Sequence, residues 1–568
     1  MLPAAAGIKV SVEGVEAEER SNVMIRLSVE RYRDNDDVDA AMMGRLFNRI
    51  DGEVKNALRP FGYYEPTVAA DYRAVGRDWQ VAIAIKPGEP VRVRELHVAV
   101  EGPGAADPAF AAVMANKDRL LRVGMRLHHG VYEAVKGQLT RTAEANGYRD
   151  ARLLASTMDV DVAEHAASID LVLDTGQRYN FGQVDINQTS IRPELMHRFL
   201  RFQEGDPYSS SQLLRTQFAL DDSLYFSQVE VEPGNPDPDS LTIPISIAAT
   251  KSRPTFSIGG GYGTDTGIRG TLAWTDARVN DKGHRFRAEL KASTTTRQVD
   301  SRYDIPIGDP ALERLSLEGN NTYQELADAQ SYTTKLTPSI TRVIGRWQTV
   351  TALAATRITE DKGAESTTSN LLVPGISVGL VPKDFLGEAL YSRSFYADLQ
   401  GSHSALGSQT NFLRLDVQSE HGIDLNYQWH LLLRGEAGVA VAGDYSKLPV
   451  IYRFFAGGDR SVRGFAYNTL SPVEEVVQDD GSTKLEKTGG RYLLVGSAEV
   501  VRDLPWNLGV ATFVDVGNAF NSLHDSLEYA AGIGLRYRLP GVSIGIDVAQ
   551  PLSSKGSLRL HLNISPKL

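Results

Sequence analysis

Gly458-Asp459-Arg460-Ser461-Val462-Arg463-Gly464-Phe465 sets a buriable cation beside a glycine, in the middle of a segment of about residues 444–490 that reads as non-strand. Most connections run to a few residues, and one this long is usually functional or disordered. Arginine offers a planar fork that matches a carboxylate, and glycine permits backbone geometry that a Cβ forbids. This connection reads as functional.

The sequence on both sides has a different pattern. From Pro254 onward helical periodicity stops, glycine density rises, and segments near ten residues alternate apolar with polar. Phe286, Ala288, Leu290 and Ala292 alternate with Arg287, Glu289 and Lys291; Leu413, Leu415 and Val417 alternate with Arg414, Asp416 and Gln418. A membrane barrel needs this pattern, apolar toward lipid and polar toward the lumen. Sixteen such strands follow, an even number that leaves both ends of the barrel on the side of the preceding domains. Asn280-Asp281-Lys282-Gly283 and Arg502-Asp503-Leu504-Pro505 read as short turns on that side. A soluble β-sandwich also alternates, but charges on its inner faces would need pairing in a dry core.

Parity assigns the faces. On the thirteenth strand Val510, Val514 and Val516 face lipid, so Phe513, Asp515 and Gly517 face the lumen. On the fourteenth, Tyr529, Ala531, Ile533, Leu535 and Tyr537 face lipid and turn Arg536 and Arg538 inward. On the fifteenth, Ile544, Ile546 and Val548 face out and Asp547 faces in.

Upstream, the chain runs three times from a helical pattern through an aromatic step into a strand: Phe61-Gly62-Tyr63-Tyr64, Asn146-Gly147-Tyr148 and Leu224-Tyr225-Phe226. The spacing near eighty residues suits small tandem domains rather than solenoid units. In the second unit Val131, Val135, Leu139 and Ala143 fall four apart, and Ser168 to Leu173 follows as a strand. In the third, a helix through Leu213, Leu214, Phe218 and Leu220 precedes a strand at Ile243 to Ile247. The order is βααββ, which generic α+β domains also adopt.

Composition narrows the classes. The 568 residues exceed one ordinary domain, and the net charge of −11 is mixed along the chain, with no basic face for nucleic acid. Zero cysteines exclude thiol catalysis, disulfides and cysteine-ligated zinc, and suit an oxidising compartment. No apolar run approaches the roughly 18 residues of a spanning helix. Met1 to Gly7 lacks the features of a signal peptide, so an exported chain with this start is expected to have lost one. Gly375-Ile376-Ser377-Val378-Gly379 and Gly541-Val542-Ser543-Ile544-Gly545 match the nucleophile motif of serine hydrolases, but that motif needs a strand, a sharp turn and a helix. Gly259-Gly260-Gly261-Tyr262-Gly263 lacks the Gly-Lys-Ser/Thr and helix of a phosphate loop, and His128-His129 lacks zinc-helix spacing. No active site, metal or cofactor is expected.

Val462-Arg463-Gly464-Phe465 resembles the signature of the sixth loop in the BamA/TamA outer-membrane insertase superfamily, where that loop folds into the lumen. Phe513-Val514-Asp515-Val516-Gly517 resembles the family's second signature, the wall site that receives it. The resemblance implies a latch of Arg463, Gly464 and Phe465 against Phe513, Asp515 and Gly517, with Arg463 paired to Asp515. Two opposite charges at 4 Å attract by roughly 4 kcal/mol at an effective dielectric of 20, before desolvation and loop ordering. The alternative is one more solvated loop charge. The βααββ units resemble POTRA (polypeptide-transport-associated) domains, placed at residues 8–89, 90–177 and 178–252, with the barrel at 253–568. The implied fold is therefore α+β tandem POTRA-like domains followed by a 16-stranded antiparallel transmembrane β-barrel.

Three POTRA-like units point to the TamA branch of that superfamily. This implies a non-enzymatic factor in the outer membrane of a Gram-negative bacterium, with the POTRA-like domains in the periplasm. It would insert client β-barrels and autotransporters with a TamB-like partner anchored in the inner membrane, and without cofactors. The ending Ser565-Pro566-Lys567-Leu568 departs from the aromatic terminus common in outer-membrane barrels. A two-partner-type transporter exporting a polypeptide through the lumen is the alternative; a passive porin would not need the three appended domains.

The expected working part is a weak lateral seam between Phe256, Ile258, Gly259, Gly260 and Gly261 on the first strand and Leu558, Leu560, Leu562 and Ile564 on the last. The glycines remove cross-strand side-chain contacts, and unpaired backbone at an edge accepts an incoming strand. The glycines could instead serve only to bend the barrel at closure.

Overall fold

The computed structural model describes residues 7–566 apart from 36, 77, 327, 381–393, 427, 479–481, 540–541 and 555. Expectations at Gly541, Lys567 and Leu568 therefore lie outside the described residues.

In the first α+β domain, strands Ile8–Glu13, Thr67–Val75 and Asp78–Lys86 form a three-stranded sheet with the third in the centre. Val81, Ile83 and Ile85 pack against Val23, Leu27, Met43, Ile50, Val54 and Leu58 of the helices. Those helices are four, Ala17–Arg26, Ser28–Arg31, Ala40–Phe47 and Ile50–Leu58, where the repeat suggested two. Asp39 starts the third by accepting the Met42 N–H at 2.6 Å.

The second domain follows βααββ order: Arg92–Glu101, helices Pro108–Leu120 and His129–Ala145, then Arg152–Asp161 and Ala166–Asp174. Val135, Leu139 and Ala143 are buried as read, and Tyr132 leads the buried face ahead of Val131. The third has strands Asn180–Asn187, Phe226–Pro233 and Thr242–Lys251 with helices Pro193–His197 and Ser210–Asp221. Its longer helix buries Leu213, Thr216 and Leu220, whereas Leu214 and Phe218 are exposed, correcting the expected face. The buried set is spaced i, i+3, i+7; the expected set mixed two neighbouring stripes.

By compactness the chain forms two units, residues 1–186 with 201–215 and 231–247, and residues 187–200 with 216–230 and 248–568. In the second unit the short helix and the Tyr225 segment bond directly to barrel turns. Arg192 pairs with Asp281 at 2.7 Å, the Arg198 guanidinium donates to the Gly308 carbonyl at 2.7 Å, and the Tyr225 hydroxyl donates to the Gly283 carbonyl at 2.6 Å.

Sixteen antiparallel strands close into a barrel. In order they are Thr255–Gly263, Gly267–Asp276, Arg285–Ala292, Thr296–Pro306, Glu313–Leu326, Ala329–Ile344, Trp347–Lys362, Glu365–Leu380, Ser394–Ser402, Phe412–Asp424, Trp429–Ala442, Tyr492–Leu504, Leu508–Phe520, Glu528–Leu539, Val542–Pro551 and Arg559–Pro566. Both hydrolase look-alikes fall in this sheet, Gly375 to Gly379 on the eighth strand and Val542 to Gly545 on the fifteenth. The glycine run from Gly259 to Gly263 belongs to the first strand. Arg502, Asp503 and Leu504 end the twelfth strand rather than forming a turn; the chain reverses at Trp506 and Asn507, with φ of 64° and 60°.

The long connection between the eleventh and twelfth strands is not strand-free. Val473–Val477 and Thr483–Lys487 pair as a hairpin. Its other residues change the lumen: Tyr445, Leu448, Tyr452, Phe454 and Val462 pack with Phe412, Leu493, Val495 and Ala519 of the wall. An all-polar interior was expected, but wall positions that meet the loop are apolar because the loop, not water, covers them.

Candidate functional site

Gly464 adopts φ of 97°, where a Cβ would also meet the Ala530 side chain at 3.0 Å. This turn aims Arg463 at the wall. Strand alternation does the rest: Ser497 and Glu499 on the twelfth strand and Phe513 and Asp515 on the thirteenth point inward, with Asp515↔Ser497 and Phe513↔Glu499 directly opposite. Arg463 donates through Nε to Asp515 Oδ2 at 2.7 Å and through Nη2 to Oδ1 at 2.9 Å, and its backbone N–H adds a third bond at 3.0 Å. Nη1 reaches Glu499 at 2.7 Å and Asp547 at 3.3 Å, and Nη2 reaches the Ser497 hydroxyl at 3.2 Å. The guanidinium lies 3.3 Å from the Phe513 ring centroid.

Arg463 is 2 % exposed and Asp515 0 %. Burial opposes the charge on Arg463, yet hydrogen bonds and charge from Asp515 and Glu499 outweigh it and raise its pKa. Arg536 extends the network, bonding Glu499 at 2.8 Å and Asp547 at 2.5 Å. Of the six latch residues, the structure brings Arg463, Phe513 and Asp515 into direct contact. Gly464 supplies the turn. Gly517 allows close packing, since a Cβ there would meet the Leu494 carbonyl at 2.5 Å. Phe465 is partly buried and packs against the apolar cluster.

Sequence reading did not find Glu499 or Ser497. Parity could have found them, had the inward apolar residues Leu493 and Val495 of the same strand not looked like a lipid face.

The seam is the second part. The first and last strands share two residue pairs among the described residues, Tyr262↔Ile564 and Gly263↔Asn563. Other neighbours share from five, Gly375 to Gly379 with Tyr396 to Gln400, up to sixteen between the seventh and eighth strands. Of the nine seam residues named from sequence, only Ile564 stands in a cross-seam pair. Phe256, Ile258, Gly259, Gly260 and Gly261 pair only with the second strand, and Leu560 and Leu562 pair with Val548 and Ile546 of the fifteenth. Leu558 precedes the last strand instead of belonging to it. In this register Gly260 and Leu560 are not opposite each other.

One further backbone bond and the Arg269 side chain supplement the short ladder. The Thr264 N–H donates to the Leu562 carbonyl at 3.1 Å, and Arg269 donates across the seam to Asn563 Oδ1 at 3.0 Å and the Ile564 carbonyl at 3.3 Å. Gly261 is needed for closeness: a Cβ there would meet the Ile564 carbonyl oxygen at 2.6 Å. The glycines thus do more than remove contacts.

The loop reaches the same place. Asp265, between the first two strands, Asp459 of the loop and His561 of the last strand bring one side-chain ligand atom each within 4.8 Å of the others. Burial, and then the charge of Asp459, push the Asp265 carboxyl above its usual range, although it accepts the Asp459 N–H at 2.6 Å. Beside them a polar cavity of about 320 Å³ is lined by Arg434, Arg460, Asp547 and Asn563 among others.

Residues 388–565 match the Omp85 superfamily domain, residues 9–87 the first POTRA domain of TamA, and residues 179–248 a POTRA model described as surface antigen variable number repeat. The chain is 23 % identical over 512 residues to the outer membrane protein assembly factor BamA of Neisseria meningitidis serogroup B, covering 81 % of this chain. It is 22 % identical over 424 residues to BamA of Nitratidesulfovibrio vulgaris, covering 69 %. It spans 62 % and 51 % of those relatives' own lengths. The crystal structure of Haemophilus ducreyi BamA lacking POTRA domains 1–3 superposes with a TM-score of 0.66 at 14 % identity, over 84 % of this chain and 99 % of that one, and so shares the fold.

Proposed function

From the premise of an Omp85 superfamily barrel behind periplasmic POTRA domains in the outer membrane, we propose that this protein is an assembly factor that inserts and folds client β-barrels, autotransporters included. The observation that carries the reading is the seam of two residue pairs. A missing ladder bond forgoes roughly 0.5–1.5 kcal/mol net in ordinary settings and more where lipid replaces water. An incoming strand satisfies those groups by β-augmentation and lowers the barrier to insertion without an enzyme site.

The match at residues 9–87 supports the narrower TamA-type assignment, and with it a TamB-like partner anchored in the inner membrane. Export of a polypeptide through the lumen is the competing reading. It requires the buried Arg463 contacts to break first, which disfavours it.

The test is a locked seam. Tyr262 and Ile564 stand opposite and the native chain has no cysteine, so a cysteine pair there can form one disulfide. Oxidised protein in proteoliposomes is expected to insert a client barrel far more slowly than the reduced control. Equal rates would reject lateral insertion; equal rates with a secreted polypeptide still crossing would favour lumen export.

A further inference from the structure

Two residue pairs are little to close a barrel on, and the inward loop supplies what the wall lacks. Asp459 Oδ1 accepts from His561 Nδ1 on the last strand at 2.5 Å and from the Thr264 hydroxyl beside the first strand at 3.3 Å. Its backbone N–H donates to Asp265 of the same hairpin at 2.6 Å. One loop residue therefore holds both edges of the seam from inside.

The chemistry of His561 is fixed by what surrounds it. The Gly464 N–H donates to His561 Nε2 at 3.2 Å, so that nitrogen carries the lone pair and Nδ1 carries the proton given to Asp459. His561 is buried, with both ring nitrogens bonded to the loop. Gly458 keeps the approach open: at φ of 104°, a Cβ there would meet Asp265 Oδ2 at 2.6 Å.

We propose that Asp459 and His561 are positioning residues of the seam, a clasp by which the loop holds the first hairpin against the last strand and whose release lets the edges part for a client strand. The clasp rests on the lateral-seam reading. It differs from the Arg463 ion pairs, which tie the loop to the twelfth, thirteenth and fifteenth strands and leave the first untouched, and it meets the latch at Gly464, whose N–H bonds His561. Latch and clasp share one short loop segment, and a client that displaces the first hairpin pulls on Asp459 without first breaking the Arg463 ion pairs.

Spin labels on cysteines at Ile258 and Leu560, both exposed on the outer surface, report the separation of the edges in the full-length, membrane-reconstituted protein. Asp459→Ala is expected to add a longer component to the distance distribution. Asp459→Asn, which keeps a carbonyl to accept from His561 and Thr264, is expected to restore the short distance. His561→Ala should open the seam as Asp459→Ala does, while Arg460→Ala, a neighbouring charge outside the clasp, should not.

Heat stability of the folded barrel is measured on every variant, since a role confined to stability would lower the midpoint without rescue by Asn. A narrow, wild-type distance in both Asp459→Ala and His561→Ala would overturn the clasp, as would failure of Asp459→Asn to rescue. If the edges part but client insertion is unchanged, the clasp stands and the lateral-seam reading falls.

Discussion

The barrel has two unlike halves. From the seventh strand to the fourteenth the loop fills the lumen with an apolar cluster and the Arg463 network, and the wall is continuous. Toward the first six strands the lumen holds a polar cavity of about 420 Å³ lined by Arg287, Glu289, Asp300, Arg302, Glu318 and Lys335. There the wall ends in two residue pairs. The fifth to eighth strands, which straddle the two halves, run 14–16 residues; the first, third and last run 8 or 9, as does the ninth in the loop-filled half. At about 3.3 Å per residue and about 40° of tilt, the short strands span roughly 20–23 Å along the membrane normal, just short of a typical apolar band of about 25 Å. The half braced by the loop is therefore expected to be rigid and the half closed by two residue pairs to yield.

The largest effect should come from the rigid half. Arg463→Ala leaves Asp515 buried without its ion-pair partner and Glu499 and Asp547 with Arg536 alone, and breaking a buried pair costs about 3–5 kcal/mol. A loss of that size should appear as a marked fall in the temperature at which the folded barrel stops migrating as a compact species on a gel. Asp515→Ala should cost a similar amount, and the double variant little more than either single one. Full additivity would mean the two residues do not work together, and the contrast between halves would lose its cause.

Next comes the yielding half. Gly261→Val places a Cβ where the Ile564 carbonyl stands, and forced overpacking costs about 1–3 kcal/mol. Because the ladder at that edge has only two residue pairs, the cost is expected to be relieved by parting of the seam. Spin labels at Ile258 and Leu560 should then report a longer distance while the Arg463 half keeps its heat stability. A uniform fall in stability with a closed seam would show that the halves are mechanically one.

Much of this contrast was legible in the sequence, and the parts that were not share a reason. Period-2 alternation assigned Asp515, Arg536 and Asp547 to the lumen because one face of those strands meets lipid. It could not see that Leu493 and Val495 face a loop, since an apolar inward residue and an apolar outward one look alike in sequence. Nor does parity set the register between the first and last strands. The first ends at Gly263 and the last begins at Arg559 with no turn joining them, so the sequence left their register open, and the structure sets Tyr262 opposite Ile564. The exposed Leu214 and Phe218 were misread for a similar reason: an apolar residue at helix spacing marks a stripe, and adjacent stripes overlap.

A smaller effect on stability, but a clear one on activity, is expected at the junction with the third domain. Three residues, Ser252 to Pro254, join its last strand to the barrel, and Arg192, Arg198 and Tyr225 bond to turns between early strands, on the yielding side. A flexible Gly/Ser insertion after Ser252 should leave the heat-stable barrel intact and reduce client insertion in proteoliposomes. Unchanged insertion would mean that motion of the domain is not coupled to the seam.

The smallest expected effect is at Gly260, and it separates two meanings of the glycine run. A Cβ at Gly260 would meet nothing within 4 Å, unlike one at Gly261. Gly260→Ala therefore adds no strain, and removing an interior strand glycine stabilises by roughly 0.5–1 kcal/mol through the entropy of the unfolded chain. If the weakness of the seam lies in its missing pairs, Gly260→Ala should raise the heat midpoint slightly and leave the rate of client insertion as it was. If it lies instead in the bending freedom of the glycine run, this one methyl group should slow insertion in step with the added stability. Insertion rate plotted against heat midpoint for Gly259→Ala, Gly260→Ala and their double variant tells the two apart: a flat line places the yielding in the ladder, and a falling one places it in the strand itself.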